Sequence, residues 1–343
     1  MLKLQADKDP LHDRELMRSS LISWFLERAE DHPWRRTRDP WAILVSEVML
    51  QQTTIATVRG GRRFELFMEE FPDLETIAQA PEEALLKAWE GLGYYNRVRN
   101  LQRTACAVIS DWEGKFPRTA KELETLPGIG AYTAGAVASF AFDAPAPIVD
   151  GNIARVLSRL FDFQEQVDDA HGRRMLWTWA GELVDPKSSR NFNSALMELG
   201  QFICRPKKPD CFSCPLAKFC QTREPEKLPI KRSKQTVVHL AEKAVWAQDR
   251  GMVLLAKEAG SRRKGFWRLP LRSSDQVADL EKISTSRYAI TKHRVTLDVY
   301  RCDSVVPGGL SEGEEWVALA DLDELPMVAP VRKILAKLVQ SQL

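Results

Sequence analysis

Apolar residues recur three and four positions apart through residues 14–222, and strand-like alternation is scarce there. Ile153, Val156, Leu157 and Leu160 form one such stripe, the spacing of a helix with one buried face. The stretch 41–52, "WAILVSEVMLQQ", reads as one helix of high hydrophobic content that nevertheless carries Glu47. The dipeptide "PW" and the stretches "GLG", "PGIG" and "APAP" punctuate the region as turns. After Cys220 the texture changes. Residues 223–235 are polar, basic and proline-containing, which predicts a linker. Short β-like runs follow ("TVVHLAEKAVWAQ", "MVLLAKE", "VTLDVYRC" and "EEWVALADL"), and "APVRKILAKLV" closes the chain as a helix. The pattern predicts a mostly α domain over 1–222, a linker over 223–235 and a smaller α+β domain over 236–343.

Composition changes this picture only locally. The chain has 343 residues, 44% hydrophobic and 28% charged, which suits a soluble protein of two or three domains. A net charge of +2 does not by itself argue for nucleic acid. Between Arg205 and Lys234, however, nine Lys and Arg face three acids, a stripe suited to phosphate binding or to a solvated linker. No stretch approaches the length of an apolar membrane span, and the first residues lack the apolar core of a signal peptide. A cytoplasmic protein is expected. Of six cysteines, four are packed into C-x6-C-x2-C-x5-C: Cys204, Cys211, Cys214 and Cys220. In a reducing compartment such a cluster reads as a metal site, and spacing alone admits zinc or iron–sulfur. Cys106 and Cys302 stand apart and are expected to be ordinary buried residues.

Three stretches carry candidate chemistry. A carboxylate placed at Glu47 among Val45, Val48, Met49 and Leu50 loses water and is expected to hold its proton to higher pH. Thr119 and Glu122 fit a capping box ahead of "LPGIG", and a helix of small residues begins near Ala131. Gly128 and Gly130 then either serve a turn between core helices or expose N–H groups to a phosphate. Asp150, in "VDGN", precedes a helix; it is an N-cap, a catalytic anion, or both, and is expected to stay charged beside N–H donors.

The cysteine spacing after a helical region, with "LPGIG" and "VDGN", resembles the endonuclease III family of helix-hairpin-helix DNA glycosylases. "SEVMLQQT", "GLGYYNRVRNL" and "MELG" make 14–222 similar to its MutY-type, adenine-specific branch. The resemblance implies a helix-hairpin-helix (119–142), a [4Fe–4S] cluster on the four cysteines, and Arg205, Lys207, Lys208 and Lys218 near DNA phosphates. It also implies a monomer acting in the bacterial nucleoid on double-stranded DNA with A:8-oxoguanine or A:G mispairs. Glu47 would protonate adenine, Asp150 would steady the sugar cation, and Tyr132 and Asn152 would orient them. Trp34, Arg35, Leu50 and Glu198 would bind the base, with Gln52 and Tyr94 wedged into the stack it leaves. Gly128 and Gly130 would contact the DNA backbone. Bifunctional members carry a lysine where this chain has Tyr132, and a phenol forms no Schiff base, so a monofunctional enzyme is expected.

The same branch carries a Nudix-like C-terminal domain that recognises 8-oxoguanine, and "GFWRLPL" (265–271) resembles one of its segments. The hydrolase box is absent. Where the family has Phe-Ser-His, this chain has Ile290, Thr291 and Lys292, followed by His293; Thr291, Lys292 and His293 are the candidate lesion contacts. Three competing readings are an endonuclease III-like enzyme for oxidised pyrimidines, a non-catalytic DNA-binding protein stapled by metal, and a zinc protein with a Nudix-type hydrolase tail, against which the missing box argues.

Overall fold

The computed structural model describes residues 10–232, 237–260, 264–290, 292–302 and 306–340. Thr291 lies outside them. Two compact units are present, one formed by 1–78 with 100–233, the other by 79–99 with 234–343.

The first unit is helical. Its helices are α1 (Arg14–Arg28), α2 (Pro40–Leu50), α3 (Ile55–Gly60), α4 (Arg63–Glu70) and α5 (Leu74–Gln79). After α6 (Glu82–Ala88), which belongs to the second unit, come α7 (Asn96–Asp111), whose residues 96–99 are counted with the second unit, α8 (Ala120–Leu123) and α9 (Ala131–Phe142), then α10 (Gly151–Leu160), α11 (Ala170–Leu183) and α12 (Ser189–Glu198). The core helices are α2 and α9, buried along nearly their whole length and packed on each other. Gly135 of α9 makes a close approach possible: a Cβ there would meet the Pro147 carbonyl oxygen at 2.3 Å. The expected stripe on α10 is fully buried.

Residues 223–232 differ from a free linker. Val167 N–H donates to the Ile230 carbonyl at 3.0 Å, and the buried Arg159 Nε donates to Leu228 O at 3.1 Å. A charged side chain without other access to water needs such carbonyls, and the segment supplies them.

In the second unit, β1 (Val238–Asp249), β2 (Met252–Lys257), β3 (Trp267–Arg268), β4 (Lys282–Ile290), β5 (His293–Cys302) and β6 (Glu314–Ala318) form one sheet. Its order is β3-β2-β1-β5-β4, with β6 on β2; β1 and β5 run parallel and the other pairs antiparallel. The closing helix α13 (Ala329–Gln340) is amphipathic. Segment 79–99 groups here because its side chains are tied to this unit. Arg332 Nη2 donates to Glu90 Oε2 at 2.7 Å, Lys257 reaches Glu83 at 2.7 Å, and the Tyr95 and Phe266 rings lie 4.1 Å apart. Composition put the domain change near 222 and gave no sign of this exchange.

Candidate active site

Helix α2 is started firmly. Asp39 accepts from the Trp41 and Ala42 N–H groups at 3.1 and 3.2 Å, with Pro40 at the first helical position. Every residue from Trp41 to Met49 is buried, so Glu47 has no solvated face to reach; it is 5% exposed. Burial raises its carboxyl from 4.5 to about 7, opposed by a hydrogen bond from Tyr132 and reinforced by the charge of Asp150. Tyr132 donates its phenol hydrogen to Glu47 Oε2 at 2.8 Å. The same burial, with Glu47 and Asp150 nearby, holds the Tyr132 phenol well above its usual value, so it remains a donor. The helix ends at Leu50, not at Gln52. Gln51 is extended and its Nε2 donates to Thr133 Oγ1 at 3.1 Å, while Thr54 caps α3.

Asp150 caps α10, accepting from Ile153 N–H at 2.7 Å, and Asn152 Nδ2 donates to its other oxygen at 3.2 Å. Burial raises the Asp150 carboxyl above 3.8, and the N–H donors of Ile153 and Asn152 with the charge of Arg155 only oppose that rise. The hairpin before it has the expected capping box at Thr119 and Glu122. Gly128 has φ +77°, and a Cβ there would sit 2.6 Å from Asn100 Cβ; Gly130 caps α9 with open space where its Cβ would be.

These residues surround two adjoining hollows. A groove of about 830 Å³ is lined by Gly128, Gly130, Tyr132, Asp150, Asn152 and Gln52. A narrower pocket is lined by His32, Trp34, Arg35, Arg190 and Ser194. Glu47 and Leu50 line both. Trp34 is buried, edge-on to Phe64 with centroids 5.7 Å apart. Glu198 is 2% exposed, pairs with Arg35 and accepts from Glu30 N–H at 3.2 Å. Arg190 is spent on carbonyls of Phe140, Arg35 and Thr37. His32, Arg190 and Ser194 were not singled out from sequence. They follow no apolar period, and only the neighbourhood of "PW" marks His32.

The four clustered cysteines line one further cavity of about 640 Å³, with Arg159, Lys218 and Arg223. Arg159 Nη1 donates to Cys204 Sγ at 3.3 Å and to Arg205 O at 2.7 Å, and Arg155 Nε donates to Cys204 O at 2.7 Å. Helix α10 therefore carries Asp150 at one end and grips the cysteine loop at the other. Burial and neighbouring thiols push Cys214 up to about 12 and Cys220 up to about 11. Among the described residues, no three Cys, His, Asp or Glu side chains converge to hold a single ion. Cys302 is buried as expected, but Cys106 is exposed.

Gln52 and Tyr94 both occupy left-handed backbone, at φ +56° and +47°, a costly conformation for residues with a Cβ. Gln52 is exposed, and Tyr94, in the second unit, is 46% exposed with Arg97 over its ring at 5.7 Å. Lys292 is exposed in the tight turn between β4 and β5, whereas His293 is buried. Among the described residues, no helix is long and apolar enough to cross a membrane.

Residues 45–182 match the HhH-GPD superfamily of base excision DNA repair proteins. The chain is similar to an adenine DNA glycosylase of Mus musculus, 41% identical over 233 residues, which is 64% of this chain and 45% of the mouse protein; it thus spans less than half of that relative's length. It is also similar to the solved structure of a thermostable thymine-DNA glycosylase (TM-score 0.56, 34% identity, 61% of this chain and 95% of that one). A trapped covalent complex of endonuclease III with DNA matches at TM-score 0.53 and 27% identity, over 64% of this chain and 99% of that one. Since the matched segment spans Glu47, the hairpin, Tyr132 and Asp150, the chain belongs to the HhH-GPD superfamily of base excision DNA repair proteins.

Proposed function

We propose that this protein hydrolyses the N-glycosidic bond of adenine mispaired with 8-oxoguanine or guanine in double-stranded DNA, without strong lyase activity. The observation that carries the reading is Glu47: a carboxyl raised to about 7 where a pocket meets a groove, with Asp150 close enough to add to the rise. A carboxyl held by a single phenol, next to one that accepts from two donors, suits an acid and an anion acting on one bond. The likeness to an adenine DNA glycosylase supports adenine as the base.

In this reading the groove receives the DNA backbone, and a phosphate meets the N–H groups at the start of α9, where Gly130 leaves room for it. The extruded adenine enters the pocket of Trp34, Arg35 and Leu50, while Gln52 fills the vacated stack. Glu47, held through Oε2 by Tyr132, donates its proton to N7. The C1′–N9 electron pair leaves with the base, and the neutral purine departs. Asp150, oriented by Asn152, faces the sugar cation. Water adds its oxygen to C1′ and returns a proton to Glu47. Tyr132 provides no amine for a Schiff base, so the strand stays intact.

Four thiols lining one cavity, with a buried guanidinium donating to one sulfur, support a [4Fe–4S] cluster there. Cys204, Cys211, Cys214 and Cys220 would hold it, and when bound it would cross-link the loop that carries Arg205, Lys207, Lys208 and Lys218. In the second unit, the exposed Lys292 supports a role for the β4–β5 turn in reading the lesion, by a Nudix-like domain without hydrolase activity.

A labelled A:8-oxoguanine duplex tests the reading. Cleavage only after hot alkali is expected. Cleavage without alkali would contradict the monofunctional assignment, and an intact duplex after alkali would contradict glycosylase action altogether.

A further inference from the structure

His32 lines the base pocket, and the proposed chemistry leaves it unused. His32 is 1% exposed, lines the pocket beside Glu47 and Leu50, and stacks on Trp34 with centroids 5.0 Å apart and planes at 23°. Its Nε2 lies 3.4 Å from Glu30 Oε2. Its Nδ1 is buried and has no hydrogen-bond partner. The pocket's other polar groups are largely engaged. Arg35 pairs with Glu198, Arg190 donates to three carbonyls, and Ser46 donates to Ile43 O at 2.8 Å. A buried polar atom left without a partner is unfavourable, and such atoms in a pocket mark where a ligand supplies the missing partner.

The ring's protonation follows from its surroundings. Burial and the charge of Arg35 lower the His32 pKa below 6.5, against an opposing pull from Glu30, so the imidazole is neutral near pH 7. In the neutral ring one nitrogen donates and the other accepts. The Glu30 carboxylate 3.4 Å from Nε2 favours the tautomer with its hydrogen on Nε2, which leaves Nδ1 as a lone-pair acceptor. An acceptor selects a donor on the incoming base. Adenine presents an exocyclic amine, whereas hypoxanthine and guanine present a carbonyl oxygen at the same ring position.

We propose that His32 Nδ1 accepts a hydrogen bond from the exocyclic amine of the extruded base, making His32 a specificity-determining residue for amino-purines over oxo-purines. This inference rests on the base-excision reading above, because it requires the base to enter the pocket beside Glu47. It adds a contact made by a residue of this chain that no apolar or catalytic pattern marks. A site built around such a contact discriminates strongly against a base lacking the donor, since the acceptor is then left unpaired.

The test compares two bases opposite 8-oxoguanine in single-turnover release: adenine, and unsubstituted purine, which has the same ring without the amine. The readout is the ratio of the two rates in wild type, His32→Leu and His32→Asn. Leucine removes the acceptor, and asparagine keeps an oxygen at the δ position. We expect the adenine-to-purine ratio to fall about tenfold in His32→Leu and to recover in part in His32→Asn. Differences in intrinsic leaving-group ability cancel, because the same two substrates are used throughout. An unchanged ratio in both variants, with adenine still released, would overturn the role of His32 and leave the glycosylase reading intact. If His32→Leu fails to fold, His32→Phe, which keeps a ring against Trp34 and has no acceptor, takes its place: an adenine-to-purine ratio equal to that of the wild type overturns the proposal. Failure of the wild type to release adenine at all would overturn both readings together.

Discussion

The end of α2 and the start of α10 each hold a carboxylate, and the two ends treat it differently. Glu47 lies in the last turn of a helix buried on all sides, where the helix dipole is unfavourable to an anion. A single phenol donates to it. Asp150 precedes the first turn of α10, where Ile153 N–H and Asn152 donate to its two oxygens and Arg155 adds positive charge. Burial raises both carboxyls, but at Asp150 these donors oppose it, and at Glu47 only Tyr132 and Arg35 do. Burial is the largest influence on both carboxyls, and the two ends differ in the donors set against it.

The contrast breaks most sharply at Glu47. Glu47→Gln should reduce adenine release by about 10²–10⁴-fold in single turnover, with duplex binding retained in a gel-shift assay. The same substitution changes stability with a predictable sign. A carboxyl whose folded pKa lies above its unfolded value favours folding at low pH, and that advantage is lost as pH rises from 4.5 through about 7. The slope is on the order of 3 kcal/mol across that window, and Glu47→Gln should remove it from the pH dependence of denaturant unfolding.

Asp150 separates capping from charge. Asp150→Asn keeps a good N-cap and should cost activity by about 10²-fold or more with little change in Tm. Asp150→Ala should lose the same activity and destabilise the fold by a further ~1 kcal/mol. Equal activity for wild type and Asp150→Asn would reduce Asp150 to its structural role.

The hairpin glycines sharpen the comparison at smaller scale. Gly128→Ala forces a Cβ into Asn100 at positive φ and should cost roughly 1–3 kcal/mol in thermal unfolding. Gly130→Ala meets nothing in the free protein and should shift stability by less than about 1 kcal/mol; a larger loss in duplex affinity would mark the place where a phosphate approaches.

Much of this arrangement was legible from residue order. Spacing gave α10, the capping box gave the hairpin, and the apolar neighbours of Glu47 gave its raised pKa. What was hidden depends on long-range partners. The end of α2 at Leu50 is set by the left-handed Gln52 and by Gln51 reaching Thr133, 82 residues away. Strand β4 alternates exposed and half-buried positions at the sheet edge, so it carries too little apolar signal to be read as a strand. The union of 79–99 with the sheet unit depends on Glu90 and Tyr95 finding Arg332 and Phe266. His32 gains meaning only when the fold buries its ring against Trp34.

The pH dependence of single-turnover adenine release, for wild type and Tyr132→Phe, tests the central claim most directly. With Glu47 as the acid, the wild-type rate should fall as pH rises through about 7. Tyr132→Phe removes the hydrogen bond that favours the charged carboxylate, so the fall should move to higher pH. A descending limb that stays in place in Tyr132→Phe and persists in Glu47→Gln would assign the proton to another group and contradict the account.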